Sequence, residues 1–151
     1  KNLSVSAQAR LVVENDDKGS MYSVQDLYDG IFSEVKVPIT FDFHHHRFQP
    51  GGLSEQEAFE LAMTTWHYHN VKPLFHYSSC RRTFEDPGCK AQAHADFIYE
   101  QINDYGHAVD IEVEAKAKEV AVLKYKDDGN SLLENYLPFD VHIDNQLVLE
   151  V

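Results

Sequence analysis

No stretch of this chain holds the roughly 18 consecutive apolar residues that a membrane-spanning helix needs, and no apolar stretch opens it as an export signal would. The sequence therefore reads as a soluble, intracellular protein. Cysteine is scarce: Cys80 and Cys89 flank the polar segment "CRRTFEDPGC" and read as two free thiols rather than a bridged pair. Positive charge is also scarce, with 13 Lys and Arg against 25 Asp and Glu and a formal charge of −12. That balance alone counts against a nucleic-acid binder, whose usual footprint is a basic patch. Carboxylates clustered around divalent cations would reverse the sign locally. The glycines form no phosphate-cradling loop, and no Ser-His-Asp or Cys-His arrangement stands out. The chain opens on Lys1 rather than methionine, as a processed chain or a piece of a longer one would.

What is present is a core-forming composition and an excess of imidazole. Apolar residues make up 43% of the 151 residues and aromatics 12%, enough for one domain with a packed interior. Four runs rich in β-branched and aromatic residues read as strands: Arg10 to Asn15, Val37 to Phe43, Lys72 to Tyr77 and Val109 to Ala115. Between them lie helix-like segments. Ser23 with Asp26, and Ser54 with Glu57, have the spacing of capping boxes. Phe59, Ala62 and Trp66 recur at helical spacing and would face a sheet. Residues 91–105 and 116–126 complete the helical series, and strands alternating with helices predict a parallel α/β sheet.

Each strand ends in a residue able to hold a metal: Glu14, Asp42, His76 and Glu114. Chemistry in parallel α/β proteins gathers at the carboxyl ends of strands, where the loops converge. Any one of these endings is commonplace, since an aspartate also caps turns and a strand histidine is usually a hydrogen-bonded core residue. The triplet His44, His45 and His46 directly follows Asp42, and the sequence predicts a loop there, with one or two of the three able to reach a common point. His94 opens a predicted helix. In "DIEVEAK", Asp110, Glu112 and Glu114 share one strand face, and buried carboxylates need partners that cations would supply. A mixed carboxylate and imidazole set suits manganese, zinc or iron, and a carboxylate-rich one tilts toward manganese or magnesium.

Taken together, "LVVENDD", "FDFHHHRF", "PLFHYSS", "HADFI" and "VEAKAKEVAVL" resemble, in order, segments of the UV-damage endonucleases. The resemblance runs from about Leu11 to Tyr125 and is to the C-terminal half of that family's chain. It implies a (β/α) TIM-type barrel, here about half of one with four βα units over residues 1–126, followed by a divergent tail over 127–151. It implies a DNA repair endonuclease that nicks the phosphodiester 5′ to UV photoproducts in double-stranded DNA. The cofactor it implies is a divalent metal cluster, manganese with zinc or magnesium as alternatives. The implied ligands are Glu14, Asp42, His45, His76, His94 and Glu114, with Lys116 and Glu114 catalytic, and Ser78, Ser79 and Arg81 near the DNA. Leu74 stands where some relatives carry a modified lysine, so that element is absent. A half-barrel leaves sheet edges open, which implies a homodimer or a complementary N-terminal half from another chain or the rest of the polypeptide. A sugar isomerase of the same barrel superfamily and a non-catalytic metal- or partner-binding module remain open as alternatives.

Overall fold

The computed structural model describes residues 3–133. In chain order these form α1 (Val5–Gln8), β1 (Val13–Glu14), α2 (Val24–Leu27), a π-helical turn (Tyr28–Phe32) running into α3 (Ser33–Val35), β2 (Ile39–Thr40), α4 (Phe43–Phe48) and α5 (Glu55–Thr65). A 3₁₀ turn (Trp66–Tyr68), β3 (Leu74–Tyr77), α6 (Arg81–Phe84), β4 (Asp110–Val113) and α7 (Glu119–Leu133) follow. Of the tail expected over 127–151, residues 134–151 lie outside the described part, and the beginning belongs to α7.

All the strand pairing within the two sheets is parallel. β1 pairs with β2 and β3 with β4, and a single parallel bridge between Asp42 and His76 joins the two pairs, with the His76 N–H donating to Phe41 O at 2.9 Å. The four strands thus succeed one another in sequence order, as the alternation of strand and helix predicts.

Side-chain alternation along these strands divides the molecule into two faces. Ile39, Phe41, Phe43, Phe75 and Tyr77 point one way and are buried. Phe59 and Ala62 of α5 and Trp66 just after it pack on them, as their helical spacing predicts. Phe41, Phe59 and Phe75 meet edge-to-face at centroid distances of 5.0 to 6.0 Å, a geometry that adds about 0.5–1.5 kcal/mol per pair to area burial. The end of α5 also completes β2: the Ile39 N–H donates to Thr65 Oγ1 at 2.9 Å, and Trp66 Nε1 donates to Ile39 O at 2.8 Å. The opposite face carries Glu14, Thr40, Asp42, His76, Glu112 and Glu114.

Both capping boxes form. Ser23 Oγ accepts from the Asp26 N–H and Ser54 Oγ from the Glu57 N–H, each reciprocated by the carboxylate. Gly51 and Gly52 take positive φ in the turn before Ser54.

Three expectations are corrected. The histidine triplet lies on a helix rather than in a loop, because Asp42 leaves the strand and its side chain accepts from the His45 N–H, capping α4. The strand segments are longer in sequence than in ladder, since only two residues each of the first two runs pair regularly. Residues 91–105 form no helix. Side chains capture their backbone donors instead: Glu85 Oε1 accepts from the N–H groups of Asp96 and Phe97, and Ser79 Oγ from that of Tyr99. Side-chain acceptors of this kind compete with the i−4 carbonyls a helix would use. His94 consequently sits in an extended segment bridged antiparallel to Cys80. Both cysteines are free, as expected.

Candidate metal centre

The six expected ligands meet at the carboxyl ends of the strands. Glu14 ends β1, Asp42 follows β2, His45 is in the first turn of α4, His76 lies in β3, Glu114 follows β4, and His94 comes from the loop beyond α6. Glu14 Oε1 is 3.3 Å from His45 Nδ1 and 3.2 Å from His76 Nδ1. Glu114 reaches His76 Nδ1 at 3.7 Å with one carboxylate oxygen and His94 Nδ1 at 3.6 Å with the other.

Two groups have donor atoms close enough together to share an ion. Glu14, Asp42 and His45 form one, and Asp42, His76 and Glu114 the other, with all donor atoms in each within 4.8 Å. Asp42 belongs to both. Its Oδ1 accepts from the His45 N–H at 2.7 Å, whereas Oδ2 is buried without a hydrogen-bond partner. An orphaned carboxylate oxygen in the interior costs free energy on the order of 1–3 kcal/mol, and a cation between the two groups would offset it. The residues present therefore fit a divalent metal.

The electrostatics of the site follow from this crowding. Burial raises the Asp42 carboxyl to about 6, even with the His45 ring alongside. Burial pushes Glu14 up as well, but hydrogen bonds and charge from His45 and His76 outweigh it and hold that carboxyl at about 2. His45 rises to about 9 because Glu14 and Asp42 overcome its own burial. His76 is raised by its hydrogen bond to Glu14. The carboxylates thus favour the protonated form of the His45 and His76 rings beside them.

The triplet divides its labour, because successive residues of a helix point about 100° apart. His44 is fully buried, its Nε2 is 3.1 Å from Gln92 O, and its ring meets His94 edge-to-face at 5.0 Å. Burial lowers it to about 4, so the ring is neutral at pH 7. His45 faces the donor groups. His46 is buried with its ring 5.4 Å from Phe41.

Asn15 is a residue that sequence reasoning missed. It is 1% exposed, its Nδ2 donates to Asp42 O at 3.0 Å, and its Oδ1 accepts from the Asp42 N–H at 2.9 Å. Its own carbonyl accepts from His45 Nδ1 at 2.8 Å. The only signal was its position beside Glu14; nothing in the sequence connects it to Asp42, 27 residues away.

Among the residues expected near DNA, Ser78 and Ser79 are both 1% exposed, and Ser79 Oγ is engaged with Tyr99. Arg81 is half-buried between Glu85 and Asp96. Lys116 is exposed, two residues beyond Glu114, its N–H donating to Ala95 O at 3.0 Å.

A profile of the family described as UV-endonuclease UvdE matches residues 1–140. The chain belongs to that family. A UV-damage endonuclease of Schizosaccharomyces pombe is 36% identical over 129 residues, covering 82% of this chain and 21% of the relative. A UV DNA damage endonuclease of Bacillus cereus strain Q1 is 29% identical over 140 residues, covering 87% of this chain and 42% of the relative. The crystal structure of SacUVDE superposes with a TM-score of 0.63 at 32% identity, covering 82% of this chain and 40% of that one. The present UvdE-family chain thus spans less than half the length of these relatives. Within it, no helix among the described residues is long and apolar enough to cross a membrane.

Proposed function

We propose that this chain is the metal-binding part of a DNA repair endonuclease that nicks double-stranded DNA 5′ to UV photoproducts. The observation that carries the reading is the convergence of Glu14, Asp42, His45, His76 and Glu114 into two donor groups sharing Asp42, with His94 against Glu114, in a chain of the UvdE family. These six residues would hold a cluster of divalent cations, manganese first by its liking for mixed carboxylate and imidazole donors. Such ions supply Lewis acidity for activating water and for neutralising a phosphate in in-line hydrolysis. The chain's own groups do the rest. Glu14 lies against His45 and His76, Glu114 spans His76 and His94, and Lys116 at the exposed rim offsets negative charge developing on the phosphate while a 3′-hydroxyl departs. Arg81, from its acidic surroundings, contributes a weaker DNA contact.

The architecture that suits this reading is a TIM-type half-barrel whose inner face bears the donors. Glu112 on that face is exposed and contacts His76 Nε2 at 3.6 Å, as expected of an interior opened along its length. The remaining strands come from a complementary N-terminal half, whether from the same polypeptide, another chain or a second copy. Family membership favours this chemistry over sugar isomerisation.

The test is native mass spectrometry of the chain titrated with manganese, paired with nicking of a duplex carrying one photoproduct in the presence of the N-terminal half of a relative. A species with at least two ions, and a nick at the 5′ side of the lesion, are expected. Glu114→Gln should lose at least one ion and abolish the nick. Normal metal retention and nicking by that variant would overturn the assignment.

A further inference from the structure

We infer that Asn15 is a positioning residue that builds one donor group by substituting its side chain for a missing strand peptide. The inference rests on the metal reading above and assigns a role to a residue that donates nothing to a metal itself. The β1–β2 ladder runs through the pairs Val13 with Ile39 and Glu14 with Thr40, and then stops. Beyond Thr40, the backbone N–H and C=O of Asp42 still point toward the place β1 would occupy if it continued. β1 instead turns away, and the Asn15 carboxamide fills the gap. A primary carboxamide carries the same paired donor and acceptor as a peptide group. Its Oδ1 takes the Asp42 N–H and its Nδ2 supplies the Asp42 carbonyl, at 2.9 and 3.0 Å.

The consequence reaches all three members of the Glu14, Asp42 and His45 group. Glu14 is the neighbouring residue, so its backbone is fixed with that of Asn15. Asp42 is held through both its main-chain polar groups while its Oδ2 remains unpartnered. His45 is held by the Asn15 carbonyl, which can only accept, so its Nδ1–H donates to that oxygen at 2.8 Å. Few other side chains can do this. Aspartate offers no donor to the Asp42 carbonyl, serine is too short, and glutamine places its amide one methylene too far.

Partners of this kind typically change metal affinity by about 10–100-fold when removed. The experiment compares wild-type chain, Asn15→Ala, Asn15→Asp and Thr65→Val by manganese titration with electron paramagnetic resonance. Far-UV circular dichroism confirms that each is folded without metal. Thr65→Val removes a different buried pair of hydrogen bonds, from Ile39 N and to Ala62 O, and measures plain destabilisation. Wild type should show two ions with an exchange-coupled signal, because both groups share Asp42. Asn15→Ala should bind about 10–100-fold more weakly and show only isolated-ion resonance, whereas Thr65→Val should retain the coupled signal. If Asn15→Ala does not fold, the nearly isosteric Asn15→Asp carries the comparison and should show the same loss. Coupled binding at wild-type affinity in a folded Asn15 variant, or an equal loss in Thr65→Val, would overturn the inference. Failure of the wild type to bind manganese at all would instead overturn the metal reading on which it stands.

Discussion

At the scale of single residues, Asp42 carries the greatest conflict between stability and use. Its side chain is completely buried, yet one of its carboxylate oxygens has no hydrogen-bond partner, only the His45 ring at 3.8 Å. Replacing it with asparagine keeps the oxygen that caps α4 and removes the buried charge. The metal-free Asp42→Asn variant should therefore melt at a higher temperature than metal-free wild type while binding no manganese, since sites built for function are commonly paid for in stability. Glu14→Gln, which removes a member of only one of the two groups, should lose one ion and keep the other. Differential scanning calorimetry and native mass spectrometry on the two variants check both statements, and a lower melting temperature for Asp42→Asn would reject the first. Much of this was legible beforehand. Strand-end residues of ligand type in an α/β pattern named side chains that the structure brings together, and the family motifs singled out His45, whose Nδ1 lies 3.3 Å from Glu14. Asn15 and His44 were not legible, because their roles depend on Asp42 and Gln92, partners 27 and 48 residues away in the chain.

At the scale of elements, the short-range signals were the dependable ones. The Ser23 box forms as its spacing predicts, with Ser23 N–H and Oγ–H both donating to one Asp26 oxygen. Those hydrogen bonds hold the Asp26 carboxyl below its usual range. A depressed carboxyl contributes stability that is present above its unfolded pKa near 4 and is lost as pH falls through the folded value. Ser23→Ala should cost about 1 kcal/mol at pH 7, and the gap between variant and wild type should narrow below about pH 4. Urea denaturation at several pH values measures it; a gap constant down to pH 2 would show that the carboxylate has no part in the cap. The segment 91–105 reads as helical in sequence and forms no helix, for a corresponding physical reason. Its composition suits a helix, but Glu85 and Ser79 hold its amides from outside the segment, and no local pattern reveals an acceptor fixed by tertiary contact.

At the scale of the whole molecule, the alternation of strands and helices predicted the parallel order, and the half-barrel resemblance implied open sheet edges. β1 pairs only with β2, and β4 only with β3, among the described residues. Leu11 and Val12, leading into β1, are 41% and 40% exposed. Open parallel edges flanked by apolar side chains are templates for further pairing. The chain should therefore associate with itself in a concentration-dependent way, seen by light scattering coupled to size exclusion, and the N-terminal half of a relative should suppress this. A monomer at every concentration would mean that the edges are protected without a partner.

The helical histidine triplet has a consequence for anyone aligning related sequences. Three identical letters invite an aligner to slide or to open a gap among them at no penalty, yet each letter belongs to a different neighbour: His44 to Gln92, His45 to Glu14 and Asn15, His46 to Phe41. Losing any one of the three produces the same string, two histidines before Arg47, and rotates everything after it by about 100°. The three columns are therefore not interchangeable, and the tract fixes the register of the alignment.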